Sequence, residues 1–195
     1  MAARGGDVRE RMVQAGLELF TERGFASVSL IQVVERASAP RGSIYHHFPG
    51  GKQQLSIEVA VSWRHTLERV VLRLGAKADS AESFLRSYIE HFRGLMASAD
   101  FEAGCPMVSL SSDVGELGCE ELRTAIGRTF STIIECVTTE LLRQGVDRTR
   151  APMIAITVCS ATQGALTISR ATRSAAPFEQ IQALIPSLLA DTSGA

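Results

Sequence analysis

The sequence predicts an all-α fold of about nine helices, and three observations carry that expectation. Apolar residues recur at the three- and four-residue spacing of a helix face along most of the chain. Glycine and proline mark the ends of those stretches. Strand signals are scarce, and no Asn-Gly or Asp-Gly hairpin turn occurs. With 45% hydrophobic and 21% charged residues among 195, the chain holds enough apolar material for a core.

Between Val8 and Arg23, the residues Met12, Ala15, Leu17, Leu19 and Phe20 form one buried stripe, and Gly24 stops the helix. Ser29 is a natural N-cap for a second helix from Leu30 to about Ala37, with Gln32, Glu35 and Arg36 outward. Pro40 suits the first turn of a short third helix, which Pro49-Gly50-Gly51 ends near His47 or Phe48. A long helix then runs from Lys52 to Leu74, roughly 35 Å at 1.5 Å per residue, with Gly75 closing it. Ser80 caps a fifth helix to about Ser98, carrying Phe84, Leu85, Tyr88, Ile89, Phe92 and Leu95 at helical spacing. Gly104-Cys105-Pro106 opens a short sixth, and Gly115 and Gly118 interrupt the stretch after it. Glu120 to Gln144 is a long amphipathic seventh, ended by Gly145. Asp147 or Thr149 caps the eighth, which holds Pro152 in its opening turns and reaches about Thr172. Pro177 starts the last, running to Leu189, with Pro186 kinking or fraying its end. Residues 1–6 and 191–195 read as frayed termini. The turn at Pro49-Gly50-Gly51 divides a small domain, 1–50, from a larger one, 51–195.

Several function classes lose support from the same residues. No apolar run approaches the ~18 residues of a membrane span. The opening MAARGGDVRERM lacks the apolar core of a signal peptide, so a cytoplasmic location is expected. The cysteines, Cys105, Cys119, Cys136 and Cys159, form no C-x2-C pair, which argues against structural zinc and for free thiols. A redox sensor is the sharper alternative for them. No G-x-S-x-G, H-E-x-x-H or phosphate loop occurs, so neither an enzyme nor a cofactor is expected. The net charge of −1 hides an asymmetry: residues 1–52 hold seven Lys/Arg against five Asp/Glu.

That modest basic excess coincides with the informative segment, Val28 to Lys52. A helix of about eight residues, a tight turn at Ala37 to Ala39 and a second short helix make a helix-turn-helix. Ile31, Val34, Ile44 and Phe48 are placed to lock its helices together. Arg41, Ser43, Tyr45 and His46 then project outward, where the start of such a helix enters a DNA major groove about 12 Å wide. His46-His47 is a poor metal pair, because adjacent helical residues point about 100° apart.

The run SIYHHFPGGKQQL, preceded by GLELFTERGFASVSL, resembles the TetR family of regulators. The likeness at motif level covers about residues 8–60. Ala39-Pro40-Arg41-Gly42-Ser43 with Pro49-Gly50-Gly51-Lys52, and more weakly Gly104-Cys105-Pro106, resemble the LmrA and YxaF subgroup. One departure is Ser38, where the family often has glycine in the turn. The resemblance implies a three-helix DNA-binding domain, a C-terminal small-molecule domain, and a homodimeric repressor on a palindromic operator. It assigns base readout to Arg41, with Ala39, Pro40 and Ser43 beside it. Tyr45, His46, Lys52 and Ser29 match positions that bind phosphate, Ser29 at a helix N-terminus.

In the larger domain, Trp63, Leu67, Phe84, Tyr88, Phe92, Met96, Met107, Phe130 and Met153 are candidate walls for an apolar or aromatic effector. Gln163, Thr157 and Thr167 are candidates to orient polar groups. For each, core packing is the competing reading. The last two helices carry Ala155, Ala161, Gly164, Ala165, Ile168, Ile181, Leu184 and Leu188, and by resemblance they pack against a second copy as a four-helix bundle. Effector binding would tilt the long helix from Lys52 to Leu74 and spoil the spacing of the two recognition helices. The rivals are a cysteine-based redox regulator and a helical small-molecule-binding protein or enzyme without DNA function.

Overall fold

The computed structural model describes residues 7–190, apart from the side chains of Glu116 and Leu117. The termini that read as frayed, 1–6 and 191–195, lie outside the described residues. Among the described residues there are nine α-helices and one 3-10 turn, and no strand. In order they are α1 (Val8–Arg23), α2 (Leu30–Arg36), the 3-10 turn Arg41–Ser43, α3 (Ile44–His47) and α4 (Gly51–Lys77). Then come α5 (Ala81–Ser98), α6 (Pro106–Leu117), α7 (Glu120–Arg143), α8 (Ala151–Thr172) and α9 (Ala176–Leu189).

The chain forms two compact units. The first holds the residues up to His65 together with Gly104–Thr129, and the second holds Thr66–Ala103 and the residues from Phe130 on. This partition differs from a functional division after residue 50, because the first half of α4 and all of α6 belong to the first unit.

In the first unit, Met12, Leu19, Phe20, Val33, Val34, Ile44, Phe48, Leu55 and Val59 build the core. Gly16 lets α1 approach α4, since a Cβ there would stand 3.1 Å from Val59 Cγ2. Arg9 of α1 ion-pairs with Glu58 of α4 and lies 5.3 Å from the centroid of the Phe48 ring. Ile31 breaks the sequence expectation: it is 63% exposed, and its neighbour Val33 takes the inward place beside Val34.

In the second unit, Phe84, Leu85, Tyr88, Ile89, Phe92 and Met96 of α5 pack against α8 and α9. Gly75 does not close α4, which runs on to Lys77. The reason lies on α7. A Cβ at Gly75 would collide with the buried Glu140 carboxyl, so glycine serves close approach here. Arg143 donates to the Gly75 carbonyl (2.7 Å) and Gln144 to that of Ala78 (3.4 Å), capping the end of α4 from outside. Arg150 does the same for α9, donating to the carbonyls of Leu188, Leu189 and Ala190. Thus α9 reaches Leu189 with Pro186 inside it. Neither Asp147 nor Thr149 caps α8 directly, since Arg150 holds the cap position while Asp147 Oδ1 accepts from the Thr149 amide in the preceding turn. Gly115 lies within α6, and only Gly118, at φ +57, ends it.

By length and composition alone α8 passes the test for a membrane-crossing helix, although Thr, Ser and Gln interrupt its apolar residues and 44% of its most apolar 18-residue window is buried, as in a core helix. Its outer face mixes exposed aliphatic residues, Met153, Ile156 and Ile168, with Thr157, Ser160 and Thr167.

Candidate nucleic-acid interface

Ser29 begins the interface. Its hydroxyl accepts from the Gln32 amide (3.3 Å), while the Gln32 side chain accepts from the Ser29 amide (2.7 Å), a reciprocal cap that fixes where α2 starts. The other end of α2 is equally defined. The Ala39 amide donates to Val34 O and the Ser38 amide to Glu35 O, with Ser38 at φ +51. This is the six-to-one and five-to-two pairing that normally places glycine in the left-handed position. The Ser38 departure is therefore real, and the backbone adopts the required turn despite the Cβ.

After that turn, Pro40 at φ −62 leads into the 3-10 turn. The Ser43 amide and hydroxyl both donate to Pro40 O, at 2.9 and 2.6 Å. Ile44 and Phe48 point inward and anchor α3. The other side chains face solvent: Arg41 is 85% exposed and Tyr45 65% exposed, with His46 beside them. Ala39 and Ser43 are half-buried, and Pro40 is exposed. Arg41 has one weak tie, 3.4 Å to Glu35 Oε1, and an exposed pair of that length is easily exchanged for another acceptor. His47 is half-buried and meets the His46 ring edge-on.

Arg36 braces the module. Its guanidinium forks onto both Glu22 carboxylate oxygens at 2.9 Å and reaches Glu18 at 3.3 Å. These hydrogen bonds hold the Glu22 carboxyl below the usual carboxylate range.

Lys52 is placed differently from the other candidates. Its Nζ donates to the Phe25 carbonyl (2.7 Å) and lies 3.9 Å from the Phe25 ring centroid. Desolvation lowers its pKa, and Asp113 of α6 acts in the opposite direction. The Phe25 amide donates to Ser109 Oγ of α6 (2.7 Å), and the Gly104 amide donates to Thr21 O (2.9 Å). No sequence pattern announces the Phe25–Ser109 contact, since 84 residues separate its partners.

The structure divides the effector candidates. Trp63 and Met107 fall in the first unit, and Leu67, Phe84, Tyr88, Phe92, Met96, Phe130, Met153 and Gln163 in the second. Phe84, Tyr88, Phe92, Met96, Met107 and Leu67 are buried, while Trp63, Phe130 and Gln163 are half-buried. Tyr88 Oη lies 3.6 Å from Cys159 Sγ, and the Phe92 ring meets Tyr88 edge-on. The Gln163 Oε1 atom is buried without a hydrogen-bond partner. Met153 departs from the set: it is 66% exposed on the outer stripe of α8. Thr157 and Thr167 are exposed too, with hydroxyls bonded to their own helix at Met153 O and Gln163 O.

That outer stripe of α8 carries Met153, Ile156, Ser160, Gly164 and Ile168, and α9 exposes Leu184. Ala155 and Ala165, expected on a face between copies, are buried within the chain instead. Burial raises the pKa of the Cys105 and Cys136 thiols and pushes Cys159 up to about 11. Among the described residues no cluster of His, Cys, Asp or Glu is arranged to hold a metal ion.

Residues 13–59 match the bacterial regulatory proteins of the tetR family, and residues 81–184 match the C-terminal domain of LmrA/YxaF-like transcriptional regulators. The chain belongs to the TetR family. An HTH-type transcriptional regulator of Mycobacterium tuberculosis is 31% identical over 185 residues, covering 93% of each chain. LmrA of Bacillus subtilis is 27% identical, covering 94% of this chain and 97% of its own. DhaR of a Mycobacterium species, named as a repressor, is 24% identical over 92% of this chain and 93% of its own. A TetR regulator from Legionella pneumophila shares the fold at a TM-score of 0.85 and 19% identity, covering 96% of this chain and all of that one. This TetR-family protein is thus a transcriptional regulator and not an enzyme.

Proposed function

We propose that this TetR-family regulator is a ligand-responsive repressor that binds a palindromic operator as a homodimer. Residues 1–50 read DNA, and residues 51–195 hold the effector and the second copy. The observation that carries the DNA reading is the exposed Arg41 guanidinium, which opens the short helix beside Tyr45 and His46. A guanidinium so placed can bond the O6 and N7 of one guanine at once. Ala39, Pro40 and Ser43 flank it, and Ser29, Tyr45, His46 and Lys52 supply phosphate contacts. Lys52 does so with the N–H groups that Phe25 does not use. Repression accords with the name of DhaR, and action on DNA places the protein in the cytoplasm.

The apolar stripe of α8 with Leu184 of α9 supports pairing with a second copy through a four-helix bundle. The aromatic and Met residues of α5, with Cys159 of α8 against Tyr88, support an apolar or aromatic effector. The raised thiol pKa values of Cys105, Cys136 and Cys159 weigh against a redox trigger at those cysteines.

Arg41→Ala tests the reading. In gel shifts against operator variants it should cost about 1–3 kcal/mol and relax base preference at one position per half-site. Unchanged affinity and preference would remove Arg41 from the interface.

A further inference from the structure

Backbone hydrogen bonds bring the last turn of α2 and Arg41 together. The Ser38 amide donates to the Glu35 carbonyl and the Ala39 amide to that of Val34, and Pro40 at φ −62 passes the chain into the 3-10 turn that Arg41 opens. Glu35 and Arg41 meet across that turn, with Arg41 Nη2 donating to Glu35 Oε1 at 3.4 Å. The face of α2 that carries Glu35 is uncovered. The Glu35 side chain is 54% exposed, and Ile31, one helical turn earlier on the same face, is 63% exposed. Arg36, the next residue, is committed to Glu18 and Glu22 of α1. A carboxylate thus stands on the surface that carries Arg41, where the phosphates of a duplex would repel it.

We propose that Glu35 is a positioning residue that sets specificity: it holds the Arg41 guanidinium in the orientation that reads guanine, and its charge weakens binding to duplex that offers no such contact. This rests on the DNA-binding reading above and adds a second residue to its base readout. In water an exposed pair of this kind adds little. In a groove that excludes water the balance differs, because a desolvated carboxylate without a cation is costly. Arginine carries several N–H groups in a fixed fork, so one can stay on Glu35 while others meet the O6 and N7 of a guanine. An Arg41 that swings away to a phosphate leaves the carboxylate uncompensated. Glu35 thereby disfavours the nonspecific use of Arg41 and leaves its base-specific use intact.

The test uses the full chain, fluorescence anisotropy, an operator obtained by selection from a random pool, the same operator with each guanine exchanged in turn, and an unrelated duplex of equal length. Glu35→Ala should strengthen unrelated-duplex binding about twofold to fivefold, since a negative charge leaves the DNA face. It should also cut the preference for the guanine that Arg41→Ala ceases to distinguish, by about threefold to tenfold. Glu35→Gln, which keeps an acceptor oxygen without the charge, should fall between wild type and Glu35→Ala. In an Arg41→Ala background, Glu35→Ala should leave base preference unchanged within about 1.5-fold, because the effect passes through Arg41. Alanine is the best helix former, so the melting temperature should stay within about 2 °C of wild type. An unchanged base preference in Glu35→Ala overturns the proposal. So does a change that persists without Arg41, since Glu35 then meets a base by itself. A parallel loss on both duplexes that tracks a lowered melting temperature overturns it too, as the mark of a merely structural role. If Arg41→Ala alone leaves base preference intact, the reading of Arg41 itself fails, and that result is distinct from an Arg41→Ala that relaxes preference and a Glu35→Ala that does not.

Discussion

Ser38 sits at φ +51, where a Cβ costs roughly 1–2 kcal/mol that glycine avoids. Its place in the turn was legible from the spacing between Ser29 and Pro40. That this backbone would be kept without glycine was not, because it depends on the paired amides of Ser38 and Ala39. Ser38→Gly should therefore raise the melting temperature by about 2 °C, the net of relieved strain and glycine's greater entropy in the unfolded chain. No change or a decrease in thermal melts would show that the serine is not strained there. Arg41, Tyr45 and His46 were legible as outward residues because the inward places are claimed by Ile44 and Phe48. Lys52 was only half legible. Its charge suggested phosphate, but its hold on Phe25 arises from a loop 27 residues away.

Among the elements, the end of α4 shows how a local signal is overridden. Gly75 looked like a stop, and in isolation it would act as one. Glu140, Arg143 and Gln144 of α7 instead use the missing Cβ and cap the exposed carbonyls. Burial alone would raise the Glu140 pKa, but the hydrogen bonds from Arg143 and Gln144, with the Arg143 charge, hold it lowered. A carboxyl lowered on folding stabilises the protein above its unfolded value, near 4.5, and that contribution is lost as pH falls through the folded value. Glu140→Gln should thus cost about 2 kcal/mol at pH 7, roughly 4–8 °C in melting temperature. The gap to wild type should narrow as pH drops below about 4.5. A gap independent of pH would mean that the charge on Glu140 contributes nothing. The stripe of α8 is the converse case. Periodicity marked its apolar residues, but on a helix that carries aliphatic residues on both its inner and outer faces it could not tell Ala155, which is buried within the chain, from Ile168, which faces outward.

At the scale of the molecule, the all-α class and the order of nine helices arise from spacing and from Gly and Pro punctuation, and the described residues agree nearly helix for helix. The two compact units were not legible, because α6 joins the first unit only through contacts such as Phe25–Ser109, distant in sequence. The candidate DNA face was the most legible part, being contiguous in the chain and built by short-range caps and turns. The effector candidates were the least, since burial in a core and exposure to a cavity leave the same apolar pattern in a sequence.

A dimer joined through α8 and α9 that presents two copies of the Arg41 surface must read two half-sites in mirrored order. Selection of bound duplexes from a random pool by the full-length wild-type chain tests this most directly. The expected result is enrichment of an inverted repeat, with a guanine at equivalent positions of both halves and half-site centres about one helical turn or a multiple of it apart. Enrichment of a single asymmetric site, or of no sequence at all, would contradict it.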